Sequence, residues 1–128
     1  MAIFRKLLRN RKGDIIIPVV DKLRWVPDYD NKTDLGGSTT SYTPTKSGWI
    51  SFSTEAYHSG TGDPQIVFKM NNVEIMTLKG ATTNNNGVRV IECANTFEVV
   101  EGDTFSYVET NVSGHNLREL YFIPGKWV

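Results

Sequence analysis

The sequence predicts an all-β fold, an antiparallel jelly-roll sandwich preceded by a short basic amphipathic segment. Three observations carry that expectation. From Gly48 to Thr54 the residues alternate strictly, with Ile50 and Phe52 on one side and Trp49, Ser51 and Ser53 on the other, as the two-residue period of a strand requires. Turn residues recur about every 8–12 positions along the chain, the spacing of sandwiches and jelly rolls. No helical periodicity follows residue 12.

A chain of 128 residues is one domain with a small appendage. Chains of ~150 residues bury roughly 68–70% of their unfolded surface, so a core needs no staples. The expected division is an anchoring segment, 1–13, and a jelly-roll domain, 14–128. The one cysteine, Cys93, excludes an intrachain disulfide. It stands in the apolar-rich run Val88–Cys93, where a small buried side chain is the expected role.

The net charge is zero, but it is unevenly spread. Five of the fourteen basic residues lie in 1–12, which holds no acid, leaving nine for the rest of the chain against all fourteen acids. A basic tail on an acidic body points to a partner for the tail. The body lacks the basic footprint of a nucleic-acid binder, so no nucleic-acid partner is expected. No apolar run approaches the ~18 residues of a membrane span. Leu7-Leu8 is too short for the apolar region of a signal peptide, and synthesis and folding in cytosol are expected.

In the tail, Ile3, Phe4, Leu7 and Leu8 fall at helical spacing among Arg5, Lys6, Arg9, Arg11 and Lys12, with Gly13 placed to close the turn. A lone helix of this length is marginal, since ~12–15 residues are a practical minimum. These nine residues are therefore expected to fold against a scaffold. A membrane-surface helix and a frayed terminus fit the same pattern.

Asp14–Val20 is a β-branched run in which Pro18 donates no ladder hydrogen bond, as on an edge strand. Asp21–Val26 extends it through Leu23 and Trp25. Pro27–Ser41 reads as one long loop. Gly48–Thr54, Gln65–Met70 and Val73–Lys79 follow as strands, with Asn71-Asn72 a two-residue hairpin turn of type I′. Gly80–Gly87 is a polar loop. Val88–Cys93, Thr96–Val100 and Thr104–Thr110 are strands, the last two joined by Glu101-Gly102-Asp103. Asn111–Asn116 is a loop, and Leu117–Ile123 is the last strand, ended by Pro124-Gly125.

Chemistry is sparse. Asp28-Tyr29-Asp30-Asn31-Lys32-Thr33-Asp34 begins like a calcium loop, but Lys32 takes a ligand position and Thr33 replaces the glycine of the sharp turn. His58 and His115 sit in Ser/Gly loops without metal-ligand spacing. No Gly-x-Ser-x-Gly elbow or phosphate-cradling loop is present. No catalytic residue, metal or cofactor is expected. Trp49, Tyr107, Tyr121 and Trp127 suit a sugar platform, or else the core or a subunit interface, and their place within strands favours core or interface.

Four pieces, in order, resemble the jelly roll of complement globular heads and tumour-necrosis-factor-like domains. They are Gly48-Trp49-Ile50-Ser51-Phe52, the hairpin Val67–Val73, Val99-Val100-Glu101-Gly102-Asp103-Thr104-Phe105, and Leu120-Tyr121-Phe122-Ile123-Pro124. Asn72 stands where that family favours glycine, and a basic segment stands where it carries a stalk. The resemblance implies a homotrimer without catalysis, binding through loops at its distal end. Small domains of this kind with a short attachment segment are similar to bacteriophage head-fibre, decoration and tail-knob proteins. The expected role is a non-enzymatic structural protein of a virion, assembled in the host cytoplasm. The tail would dock it on a capsid or tail scaffold protein, and Trp49, Ser51, Tyr121 and Ile123 would meet at the trimer interface. The alternative is a carbohydrate-binding knob that attaches to a host-surface glycan.

Overall fold

The computed structural model describes residues 23–80 and 88–128, with the backbone alone of Leu8–Arg9, Ile15–Ile16 and Thr82–Thr83. The strands in chain order are β1 (Leu8–Arg9), β2 (Ile15–Ile16), β3 (Trp25–Pro27), β4 (Thr33–Asp34), β5 (Ser41–Tyr42), β6 (Gly48–His58), β7 (Gln65–Met70), β8 (Val73–Lys79), β9 (Thr82–Thr83), β10 (Arg89–Val99), β11 (Phe105–Thr110) and β12 (Gly114–Trp127), with a 3-10 turn at Tyr29–Asn31. Two antiparallel sheets form a sandwich. One runs β3-β12-β6-β10-β9, with β4 also on β12, and the other runs β5-β11-β7-β8.

The pairings are nested along the chain. β7 pairs with β8, β6 with β10, β5 with β11, and β3 and β4 with β12. Each pair encloses the one before it. The two sheets meet through alternate residues of these strands. Ile50, Phe52, Thr54 and Ala56 of β6 are buried, as are Ile66 and Phe68 of β7 and Phe105 and Tyr107 of β11. Phe52 bridges the layers, with ring centroids 5.1 Å from Phe68 and 4.8 Å from Tyr107. Such tilted and edge-on contacts suit the charge distribution of aromatic rings. Thr54 is the one buried polar residue of this layer among the described residues, and its hydroxyl donates to the Leu117 carbonyl at 3.1 Å.

The β7–β8 hairpin matches the sequence expectation, with Asn71 and Asn72 at φ 51° and 63°. Gly102 has φ 88° between β10 and β11. Three expectations are corrected. Val88–Cys93 and Thr96–Val100 belong to one strand, because β10 pairs with β6 continuously from Arg89 to Val99. Ala94-Asn95 lowers local strand propensity, but the ladder overrides it. β12 runs on through Pro124-Gly125 to Trp127, since β3 supplies a partner for Gly125–Trp127. The Pro27–Ser41 loop contains β4, which pairs with Tyr121 and Phe122 of β12.

The tail also differs from expectation. Leu8 and Arg9 are extended and pair with Ile16 and Ile15 in a separate two-stranded sheet, so no helix runs through them. Two β-branched partners favour pairing over a helix too short to hold itself. Ile3, Phe4, Arg5, Lys6, Leu7, Arg11 and Lys12 lie outside the described residues, as does the remainder of Asp14–Val20.

Candidate functional site

The outward face of the six-stranded sheet carries the four residues expected at a subunit interface. Ser51 lies opposite Tyr121, and Trp49 opposite Ile123, on neighbouring strands β6 and β12. Opposite residues of an antiparallel pair share a face, so these four lie on one face of the sheet. Their surroundings divide them. Ser51 and Tyr121 remain accessible. Ile123 is only 6% exposed and lies outside the main core cluster, which leaves it little surface to offer a partner. Trp49 is partly covered by Trp25, whose ring stacks on it at 6.1 Å.

The centre of this face is small. Ser53 of β6 lies opposite Ala94 of β10, and Ser51 opposite Thr96. Acids surround it, with Glu55 opposite Glu92, Glu98 opposite Trp49, and Glu119 opposite Ser53. The Glu119 carboxylate, and then Asp34, raise the Tyr121 phenol above its ordinary value. The Lys32 ammonium stands 4.9 Å from the centre of the Tyr121 ring.

A second feature lies at the end of the sandwich where β3 begins and β12 finishes. Trp25 packs on Trp127 with centroids 5.3 Å apart. Beside them is an open cavity of about 740 Å³, lined by Trp25, Trp127, Thr45, Lys46, Ser47, Glu101, and Gly125 and Lys126 of β12. The sequence reading singled out Trp127 for a sugar platform and missed Trp25. Of the other three aromatics in that reading, Trp49 stacks on Trp25, Tyr107 is 3% exposed and turns into the core, and Tyr121 sits on the outer face.

The histidines have separate surroundings. His58 Nδ1 lies 3.1 Å from the Ser113 hydroxyl and Nε2 lies 3.0 Å from the Thr61 carbonyl. Ser113 also accepts the Ser59 N–H at 3.2 Å. These contacts fasten the loop after β6 to the loop before β12. His115 Nε2 lies 2.6 Å from Glu109. Arg118 stands 3.6 Å from the other oxygen of Glu109 and donates to the Tyr107 hydroxyl from Nε at 2.9 Å and Nη2 at 2.6 Å. That partly buried network ties β11 of one sheet to β12 of the other. The alternation Tyr107-x-Glu109 was its only trace in the sequence.

Cys93 faces inward beside Thr54, and burial pushes its thiol up despite hydrogen bonds from Thr54 and Asn95. The protonated thiol is a poor nucleophile. Asp28 accepts from Asn31 at 2.7 Å, and Asp34 accepts the Gly36 N–H at 2.8 Å. Among the described residues no three His, Cys, Asp or Glu side chains gather to hold a metal, and no helix is long and apolar enough to cross a membrane.

No protein-family model matches this chain, and no curated protein matches its sequence.

Proposed function

We propose that this protein is a non-enzymatic structural protein of a virion, a homotrimeric jelly roll docked on a capsid or tail scaffold through its N-terminal segment. The observation that carries the reading is the nested strand pairing. The pairing of β3/β4 with β12, β5 with β11, β6 with β10 and β7 with β8 supports a jelly roll, in which one long antiparallel ribbon wraps into two sheets. It agrees with the order of motifs that resembles complement-head and tumour-necrosis-factor-like domains.

The trimer is supported by two unlike surfaces on one chain. One is the small-residue face of the six-stranded sheet around Ser51, Ser53, Ala94 and Thr96. The other is the edge strand β8, where Val73, Ile75 and Met76 are exposed. Unlike patches pair head to tail, and such contacts make closed rings when the rotation closes. The virion role rests on the motif resemblance and on the basic, apolar tail.

Light scattering on the purified chain, joined to electron microscopy of source particles labelled for it, tests the reading. The expected result is a trimer in solution and label at a regular position on the particle. A monomer at micromolar concentration removes the trimer, and particles without label remove the virion role.

A further inference from the structure

All three tryptophans of the chain, Trp25, Trp49 and Trp127, meet in one cluster at the end of the sandwich. Core packing explains only part of this. None of the three belongs to the main buried cluster, and Trp127 is 40% exposed at the wall of the 740 Å³ cavity. Ligand cavities commonly span ~300–1,000 Å³ and combine apolar walls with a few convergent polar groups.

The walls are held from three sides. The Ser47 hydroxyl accepts the Glu101 N–H at 3.0 Å, and the Ser47 carbonyl accepts the Gly125 N–H at 3.1 Å. One residue thereby pins the loop before β6, the turn after β10 and strand β12. Gly125 is itself part of the construction, because a Cβ there would run into the Trp25 indole. Only glycine lets that ring lie against the strand.

We propose that this cavity is a carbohydrate-binding site. A pyranose ring has an apolar C–H face and a rim of hydroxyls that both donate and accept. The cavity offers an indole for the first. For the second it offers the Lys46 ammonium as donor, the Glu101 carboxylate as acceptor and the Thr45 hydroxyl as either. Lys46 is exposed and has no ion pair among the described residues. A buried subunit contact fits poorly, since lysine and glutamate are depleted at interface cores. This site goes beyond the assembly role and does not rest on it. A monomer would carry it equally.

The tryptophan content makes the test direct, because emission excited at the red edge of the tryptophan band, where the five tyrosines do not absorb, comes from this cluster alone. The full chain is titrated with chitotetraose, cellotetraose and tetragalacturonate while emission is recorded. A saturable change with at least one of them is expected. Calorimetry with that sugar should then show affinity weakened about tenfold or more by Trp127→Ala, and weakened also by Lys46→Ala and Glu101→Gln, in variants whose melting temperatures are retained. No saturable change with any of the three at millimolar concentration overturns the site. So does unchanged affinity in Trp127→Ala. A Trp127→Ala variant that falls to a smaller oligomer in light scattering also overturns it, by making the cavity a subunit contact.

Discussion

Arg118 on β12 donates two hydrogen bonds to the phenol oxygen of Tyr107 on β11, so one guanidinium joins the two sheets. The same guanidinium stands 3.6 Å from Glu109, whose Oε1 is buried and accepts no hydrogen bond. Arg118 thus supplies the positive charge that a nearly enclosed carboxylate requires.

Tyr107→Phe should therefore destabilise the fold by ~1.5–3 kcal/mol, the range for hydrogen bonds to charged groups. Arg118→Met should destabilise more, because it leaves the Glu109 carboxylate without its cation. Urea unfolding of both variants checks the order. Equal losses would show that Glu109 does not depend on Arg118.

A pH dependence follows from the same phenol. Burial raises the Tyr107 pKa above its ordinary 10.0, Arg118 lowers it, and Glu109 raises it, with a net upward shift. The folded state then holds the phenolic proton more tightly than the unfolded chain. The stability this contributes is fully present below pH ~10 and is lost as pH rises through the folded value. Thermal melts between neutral and strongly alkaline pH should show that decline, and Tyr107→Phe should flatten it. A decline of equal size in the variant would assign it to other groups.

Gly102 makes the cleanest test of a turn. Its φ is 88°, and a Cβ added there meets nothing within 4 Å. Any loss on substitution is therefore backbone strain and not a clash. Gly102→Val should cost more than ~1 kcal/mol, while Gly102→Asn should cost less, since asparagine tolerates positive φ. Melting temperatures give the comparison. Equal loss from both would show that strain is not the cause.

These turns also mark where the fold was legible. Asn71-Asn72 and Glu101-Gly102-Asp103 announce themselves locally, and the Asn71 amide donates to Asp103 at 3.0 Å to join the two. Ile50, Phe52, Ile66 and Phe68 were readable as core because alternation is also local. The unity of β10 and the extension of β12 were not readable, because each depends on a partner strand distant in sequence. The tryptophan cavity was half legible for the same reason. Trp25 and Trp127 stand far apart in sequence and meet only because β3 pairs with the last residues of β12, Gly125–Trp127.

The tail should be separable from the sandwich. β1 and β2 pair with each other and with neither large sheet. Deleting residues 1–12 should leave the melting temperature nearly unchanged and abolish joining to the parent particle, as should Leu7→Asp with Leu8→Asp. Co-sedimentation with particles lacking the native protein measures this. Equal binding by wild type and deletion would remove the anchor, and binding to anionic liposomes alone would move the tail to a membrane surface.

The edge strand β8 gives the sharpest test of self-association. Val73, Ile75 and Met76 are 65%, 44% and 36% exposed on it. An open apolar edge invites indiscriminate strand pairing, and natural sheets blunt such edges with bulges. β8 has one, for Met76 pairs with Phe68 and Glu74 with Lys69, leaving Ile75 unmatched. The bulge breaks the backbone ladder that a further strand would need. What remains for a partner is side-chain packing, which suits the flat face around Ser51, Ser53, Ala94 and Thr96 of a neighbouring copy. Burying apolar area is worth ~25 cal/mol per Å², so losing two such side chains from each contact of the proposed ring weakens its association at every contact. Val73→Lys with Ile75→Lys should therefore give a monomer in light scattering. Because both residues are exposed, the melting temperature of the isolated chain should stay within the small range of surface substitutions. A double variant that remains trimeric places the contact elsewhere. A wild type that is already monomeric leaves the apolar edge without the partner assigned to it.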